Sequence, residues 1–303
     1  LLPSHGFRLI AGTLEDQGRV KEAEAYWRRL LDINKTVLGD SDDETLTATI
    51  ALSSNYIKQG RPAEALPLRR AILATRIAQR GERDPKTIIA TSNLASVLTE
   101  MGDLTGAEAL YRKTLETSRA VHGESHSETA SAYGNLAVVL RGLGRFDEAA
   151  PMLYKARDID TALTGPDSPN VALRHYNNAI NLGDMGRFSE ARTEAEKALA
   201  IWRKTKGDDS IEAAQGYTAV GYNMTSEGRF SDAEVAYPKA PDIRVKRLGD
   251  AHPATGEAYN NLALNMDKQG RPPSTIEPML RKALDITRSP IGESSERAAT
   301  LYA

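Results

Sequence analysis

The sequence predicts an all-α protein in which one helix-turn-helix unit is repeated about seven times. Glycine recurs every 42 residues in two series, and the stretches between the glycines carry apolar residues at helical spacing. The first series, by which we number the repeats, comprises Gly18, Gly60, Gly102, Gly144, Gly186, Gly228 and Gly270. The second comprises Gly39, Gly81, Gly123, Gly165, Gly207 and Gly249. Two series with one period indicate a single structural unit copied along the chain.

The first helix of the unit is clearest in repeat four, where it is predicted from Glu128 to Leu143. Its apolar and small residues form one stripe, at Ala132, Leu136, Ala137, Val139 and Leu140. Gly144 is expected to end this helix, because the left-handed backbone conformation that terminates a helix costs little only for glycine.

The second helix of repeat four is predicted from an N-cap at Asp147 to about Thr161, with Gly165 closing it. Its apolar face comprises Ala149, Met152, Leu153, Ala156 and Ile159. Across the repeats a small residue stands seven positions before the first-series glycine, and Ala stands five positions after most of them. Small residues at both places predict that the two helices of each repeat approach closely.

Three departures from the repeat pattern predict local irregularity. Asn178 stands where the other repeats place Leu, Ile or Val, so a buried amide there needs partners or costs about 1–3 kcal/mol. Pro238 and Pro241 lie inside a second helix and predict a kink or break near residues 235–241. One extra residue follows Gly270 and shifts the rest of that repeat by one position.

Short motifs in these helices and linkers resemble the tetratricopeptide repeat family, and the 42-residue period resembles its kinesin light chain subtype. The motifs are Asn260-Asn261-Leu262-Ala263 in a first helix, Ala107 to Leu115 in a second helix, and Leu248-Gly249-Asp250-Ala251-His252-Pro253 in a linker. The resemblance implies a right-handed α-solenoid of about seven repeats plus the start of an eighth. We interpret residues 1–303 as a single array within a longer chain.

Composition limits the classes of partner and site. The net charge of −2 and pI of about 6.3 provide no excess of basic residues to bind a nucleic acid backbone. Cysteine is absent, which excludes thiolate sites, and no apolar stretch approaches the length of a membrane span. No catalytic, nucleotide-binding or metal motif occurs, so we expect no catalytic, cofactor or metal site. A cytoplasmic location is expected, and the sequence does not indicate the oligomeric state.

Asparagine recurs at two fixed positions of the first helix although it is a mediocre helix former. The first asparagine series, nine residues before the glycine, comprises Asn93, Asn135, Asn177 and Asn261. The second, five residues before it, comprises Asn55, Asn181, Asn223 and Asn265. The family resemblance implies that the first series lines a concave groove and binds the backbone of a peptide. Asn181, Asn223, Asn265, Tyr176 and Tyr222 are further groove candidates. The alternative is that the amides and tyrosines hold neighbouring repeats together.

The predicted function is a non-catalytic scaffold that binds a peptide or protein partner in its concave groove. The inward-facing candidates Arg8, Arg141, Arg174, Glu257 and Asp267 mix both signs, so a strongly acidic ligand is not favoured. Two alternatives remain open. The array is the sensor or regulatory region of a larger enzyme or signalling protein, such as a peptidase or nucleotide-binding protein, or it is a structural self-assembly module.

Overall fold

The computed structural model describes residues 2–237 and 239–288, and within them every regular element is an α-helix. The helices are α1 (Leu2–Asp16), α2 (Val20–Leu38), α3 (Asp43–Lys58), α4 (Pro62–Arg80), α5 (Pro85–Glu100), α6 (Leu104–His122), α7 (Ser127–Gly142), α8 (Phe146–Thr164), α9 (Pro169–Asp184), α10 (Phe188–Lys206), α11 (Ile211–Ser226), α12 (Phe230–Ala236), α13 (Lys239–Leu248), α14 (Pro253–Lys268) and α15 (Pro273–Thr287). The predicted helix-turn-helix repeats are confirmed. The predicted start of an eighth repeat lies outside the described residues.

The chain divides into two compact units, one ending at Gly123 and the other beginning at Glu124. Unit 1 contains the hairpins α1/α2, α3/α4 and α5/α6. Unit 2 contains α7/α8, α9/α10, α11 with α12 and α13, and α14/α15. Within each unit, consecutive helices pack against each other, as in an α-solenoid. The single array over residues 1–303 stays a prediction.

The two glycine series mark the helix ends, as predicted. All thirteen glycines have φ between 69° and 93°, which strains any residue with a Cβ atom. At the end of α7, Arg145 N–H donates to Leu140 O and Gly144 N–H donates to Arg141 O, both at 2.9 Å. These bonds satisfy carbonyl groups that a helix end otherwise leaves without a donor.

The arginine after the glycine stabilises the start of the second helix. In repeat four, Arg145 is the N-cap residue and its guanidinium binds Glu148 through two hydrogen bonds, of 2.6 and 2.7 Å. Four other repeats form the same pair, as Arg19–Glu22, Arg61–Glu64, Arg187–Glu190 and Arg229–Asp232. The predicted N-cap at Asp147 is therefore wrong, because α8 begins one residue earlier, at Phe146, and Asp147 lies in its first turn.

In most repeats arginine follows the first-series glycine, and repeat three, which has aspartate there, stabilises the start of its second helix in another way. In repeat three, Asp103 replaces the arginine, and its carboxylate accepts a hydrogen bond of 2.9 Å from Gly106 N–H. A side-chain oxygen at the N-cap satisfies a helix N–H directly. The substitution thus exchanges an arginine–glutamate pair for a side-chain cap.

Repeat six is broken where the sequence predicted a break. The second helix is divided into α12, which ends at Ala236, and α13, which begins at Lys239. Pro238 lies outside the described residues. Pro241 lies in the first turn of α13, where a helix residue needs no N–H donor. The predicted one-residue shift after Gly270 is also confirmed, because α15 begins three residues after its glycine whereas the other second helices begin two residues after theirs.

Small residues form the contact between the two helices of a hairpin. The alanines five residues after the glycine are fully buried, at Ala23, Ala65, Ala107, Ala149, Ala191 and Ala233. At Gly221, seven residues before its glycine, an added Cβ atom would lie 2.9 Å from the ring of Tyr237. The predicted close approach of the helices is confirmed.

Candidate interaction surface

The first asparagine series lies at the surface of the first helices. Its side chains are half-buried, on α5 for Asn93, α7 for Asn135, α9 for Asn177 and α14 for Asn261. Within the described part of the chain, the amides of Asn93, Asn177 and Asn261 form no hydrogen bond with another protein group. These three amides therefore keep both donors and acceptor available to a ligand or to water.

The second asparagine series is buried and bonded within the protein. Asn181 and Asn265 are 1% and 0% exposed, and each donates to the first carbonyl of the preceding repeat's second helix, Phe146 O at 3.3 Å and Phe230 O at 3.1 Å. Asn55 makes the same kind of bond to Val20 O, at 3.0 Å. Asn223 donates to Ala219 O of its own helix at 2.8 Å. The structure therefore favours the stacking role for Asn55, Asn181 and Asn265, whereas Asn223 is buried and bonded within α11.

The two tyrosine candidates differ in environment. Tyr176 is half-buried and its ring lies 5.5 Å from the ring of Trp202, in the packed layer between α9 and α10. Tyr222 is 52% exposed on α11. The structure therefore assigns Tyr176 to packing and leaves Tyr222 at the surface.

In unit 2, Tyr222 belongs to a row of exposed and half-buried apolar residues that the sequence analysis did not identify. The row stands six residues before each first-series glycine and comprises Val138, Ile180, Tyr222 and Leu264, which we call the apolar row. Val138 is 37% and Leu264 49% exposed, and Ile180 is half-buried. Residues three positions apart share a helix face, so the apolar row runs beside the first asparagine series.

Contacts between neighbouring first helices of unit 2 hold the apolar row in register. Helix α7 contacts α9, α9 contacts α11, and α11 contacts α14. Arg141 donates to Asp184 at 3.3 Å, and Thr225 donates to Asn265 at 2.9 Å. These pairs are separated by 43 and 40 residues, close to the repeat of 42. Equivalent positions on neighbouring first helices therefore lie at the same level.

The corresponding positions of unit 1 are small or polar: Gly12, Ser54 and Ser96. First helices of this unit are joined by ion pairs, between Arg8 and Glu44, between Lys58 and Glu15 at 2.5 Å, and between Lys86 and Asp43 at 2.6 Å. Two units built from the same repeat thus present different chemistry at the same helix positions.

The charges on the first helices of unit 2 are mainly acidic. Arg174, considered an inward-facing candidate from sequence, is instead buried, and its Nε donates to the buried Asp160 at 2.8 Å. Without it, these four fully described helices carry five carboxylates and two basic groups: Glu128, Asp184, Glu212, Glu257 and Asp267 against Arg141 and Lys268. Arg141 is paired with Asp184, and Glu212 is paired with Lys206 at 3.8 Å.

Each unit also contains a buried polar side chain with nitrogen atoms that form no hydrogen bond among the described residues. In unit 1, Arg69 on α4 is 6% exposed and its Nη2 donates to Ser54 Oγ at 2.8 Å, whereas Nε and Nη1 have no partner among the described residues. Burial lowers the pKa of Arg69. In unit 2, the departure noted at Asn178 is confirmed as a buried amide, and its Nδ2 has no hydrogen-bond partner in the described chain.

Two carboxylates, one in each unit, have lowered pKa values. Burial alone would raise the pKa of Glu194, but hydrogen bonds of 2.7 Å with His175 and Lys197 outweigh it and lower the pKa to about 2. Hydrogen bonds from Lys86 and Arg76 lower the pKa of Asp43 to about 2. Each carboxylate joins consecutive helices within its unit, so these perturbations have a structural origin.

One family model matches most of this chain. The model described as "Tetratricopeptide repeat" matches residues 6–78, 86–162, 129–192 and 170–244. The chain belongs to the tetratricopeptide repeat family. Repeats of this family generally mediate protein–protein interaction and are typically non-catalytic. A comparison with functionally characterised protein sequences gave no match.

Solved structures similar to this chain include a putative kinesin light chain from Podospora anserina with nearly identical repeats. It is 20% identical, with 68% of this chain and 98% of that chain covered and a TM-score of 0.58. The apo form of RapI is 15% identical, with 94% and 97% covered and a TM-score of 0.68. A signal transduction ATPase from Pyrococcus horikoshii with a tetratricopeptide repeat sensor is 16% identical, with 97% and 44% covered and a TM-score of 0.64. These similarities concern the fold. None of the helices in the described ranges is long and apolar enough to span a membrane.

Proposed function

We propose that this protein binds a peptide or protein partner on the exposed face of its first helices, without catalysis. The observation that carries the proposal is the contrast between the two asparagine series. The second series is buried, and three of its members are bonded to the preceding repeat, whereas Asn93, Asn177 and Asn261 hold half-buried amides without a partner in the described chain. A partner's backbone offers the donors and acceptors that such amides bind.

The surface also offers contact area. In unit 2 the asparagines lie beside the apolar row, so polar and apolar contacts are available on one face. Exposed apolar side chains at regular positions mark a binding surface more strongly than the same number scattered singly. Asn135, Asn177, Asn261 and Tyr222 are the residues of unit 2 that we assign to binding, together with Asn93 in unit 1.

The test compares the two asparagine series on the same helices. Partners are captured by the full chain and identified by mass spectrometry, and their affinity is then measured by calorimetry. We expect Asn177→Ala combined with Asn261→Ala to weaken binding while the melting temperature stays unchanged, because these amides form no bond within the described protein. The matched control, Asn181→Ala with Asn265→Ala, removes two buried hydrogen bonds and is expected to lower the melting temperature.

Two results would contradict the proposal. The first is unchanged affinity in the Asn177→Ala, Asn261→Ala variant at unchanged melting temperature. The second is a concentration-dependent mass in light scattering that the same variant abolishes, which would assign the surface to self-assembly.

A further inference from the structure

We infer that Arg69 of unit 1 binds an oxyanion, a carboxylate or a phosphate group, at the exposed face of the first helices. The observation that carries the inference is a buried positive charge that has no counter-charge among the described residues. The inference goes beyond the proposed function, because it does not depend on the asparagines and is tested without a partner protein.

The guanidinium of Arg69 lacks both a counter-charge and a full set of hydrogen bonds. The residue is 6% exposed on α4, and its one hydrogen bond within the described chain joins Nη2 to Ser54 Oγ at 2.8 Å. Nε and Nη1 form no hydrogen bond there. An arginine keeps its proton in a protein, so the charge remains, and a buried charge is costly unless it is paired.

The fold does not require a charge at this position. The position lies nine residues after the first-series glycine, and it holds Leu153 in repeat four and Ala195 in repeat five, both of them buried. Apolar side chains therefore fill the same place in other copies of the repeat. Packing alone gives no reason for Arg69.

The other polar side chains at this position have a partner on the first helix of their own repeat. Each partner stands three residues before the first-series glycine, and the pairs are Trp27 with Glu15, Tyr111 with Thr99, and Tyr237 with Thr225. In repeat two that place holds Ile57, which offers no hydrogen-bonding side-chain group. Arg69 is therefore left with Ser54 alone, and we assign the missing partner to a ligand.

The guanidinium approaches the surface at Ser54. Ser54 is half-buried, at the position that holds the apolar row in unit 2, and its hydrogen bond with Nη2 is only partly buried. Nη2 shares one edge of the planar guanidinium with Nε and another with Nη1. An oxyanion that replaces the Ser54 hydroxyl at Nη2 therefore also reaches a nitrogen that is unbonded. Such paired, charge-assisted bonds are the geometry that carboxylate and phosphate groups form with arginine.

The experiment observes the Arg69 side chain while an anion is added. Inorganic phosphate and acetate are titrated separately, at constant ionic strength, into the full chain with isotope-labelled arginine. The Nε–H resonance of Arg69, assigned by its loss in Arg69→Leu, is expected to shift until the site is saturated. The resonance of Arg70, an exposed neighbour on the same helix, is the internal control and should not saturate. The anion with the lower half-saturation concentration distinguishes a phosphate site from a carboxylate site.

Thermal unfolding provides an independent measurement. Phosphate also stabilises proteins by exclusion from their surface, and Arg69→Leu retains that general effect. We expect saturating phosphate to raise the melting temperature of the wild type by about 2 °C or more beyond its effect on Arg69→Leu. The matched variant Arg70→Leu should respond as the wild type does.

Either of two results would overturn the inference. The first is an Arg69 resonance that neither anion shifts, or that shifts only in proportion to the resonance of Arg70. The second is an equal rise in melting temperature for the wild type and Arg69→Leu. Neither result involves the asparagines, so the proposed function is tested separately from the oxyanion site.

Discussion

The two units are built from the same repeat but differ in the contacts between their first helices and in the residues at equivalent surface positions. In unit 1 ion pairs join each two neighbouring first helices, whereas in unit 2 an ion pair joins α7 to α9 and a hydrogen bond joins α11 to α14. Small or hydroxyl residues of unit 1 occupy the positions that hold the apolar row in unit 2. Two individual buried arginines also differ. Arg174 in unit 2 is paired with Asp160, whereas Arg69 in unit 1 has only the hydroxyl of Ser54. The repeat therefore sets the backbone structure, and individual side chains determine the surface chemistry and the buried polar contacts of each unit.

The largest expected effect comes from breaking the buried pair of unit 2. We expect Asp160→Ala to lower the free energy of unfolding by about 3–5 kcal/mol, because it leaves the Arg174 guanidinium buried without a counter-charge. Urea denaturation followed by circular dichroism measures the loss, and hydrogen exchange checks that it is concentrated in α8 and α9.

The double variant Asp160→Leu with Arg174→Leu is the control for this prediction. It removes both charges, so we expect it to be close to wild-type stability. A double variant as unstable as Asp160→Ala would show that packing around the pair, rather than the lost counter-charge, accounts for the effect.

The opposite effect is expected at the buried arginine of unit 1. Arg69→Leu places the residue found at the equivalent position of repeat four, Leu153, and removes a guanidinium with two unbonded nitrogens. We expect unfolding to require about 1–3 kcal/mol more. Arg76→Leu on the same helix is the control, and we expect it to destabilise, because Arg76 binds Asp43. Loss of stability in both variants would mean that Arg69 is also bonded in solution.

A smaller gain is expected in unit 2 at Asn178. Leucine stands at the equivalent position in repeats two, three, four and seven, as Leu52, Leu94, Leu136 and Leu262. Asn178→Leu removes a buried amide nitrogen without a partner, and we expect a gain of about 1–2 kcal/mol in the free energy of unfolding. Asn181→Leu, three residues further along, is expected to destabilise because its amide donates to Phe146 O. If Asn178→Leu lowers the melting temperature instead, the amide has a partner such as an ordered water.

The architecture was predictable because its signals are local. A glycine with positive φ at a fixed period ends each helix, and helical spacing of apolar residues marks each buried face. The break in repeat six and the shift after Gly270 followed from proline chemistry and from counting. The N-cap was wrongly predicted at Asp147, and Arg145 was missed, because an arginine bound to a glutamate three residues later gives no capping signal of its own.

The surface was harder to predict, because burial depends on a small rotation around a helix. Asn177 and Asn181 are four residues apart, which is about 40° around the helix, and that angle separates a half-buried amide from a buried one. The apolar row was missed because an exposed Leu264 and a buried Leu262 are the same residue type in sequence. Aligning the repeats on their glycines carries the missing signal, since Gly12, Ser54 and Ser96 give way to Val138, Ile180, Tyr222 and Leu264.

The last prediction concerns a difference in acid sensitivity between two carboxylates, one in each unit. The pKa of Glu194 is lowered to about 2 from an ordinary value of 4.5, so the unfolded chain takes up a proton first as the pH falls. Its stabilising contribution is therefore present above about pH 4.5 and is lost as the pH falls toward 2. In Glu194→Gln this part of the acid dependence is absent, so its urea midpoint falls less than that of the wild type between about pH 5 and pH 3.

Asp43→Asn in unit 1 should show a smaller change, since the Asp43 side chain is 45% exposed and solvent screens its pairs. Equal acid dependence of Glu194→Gln and the wild type would mean that the bonds with His175 and Lys197 do not hold this carboxylate ionised.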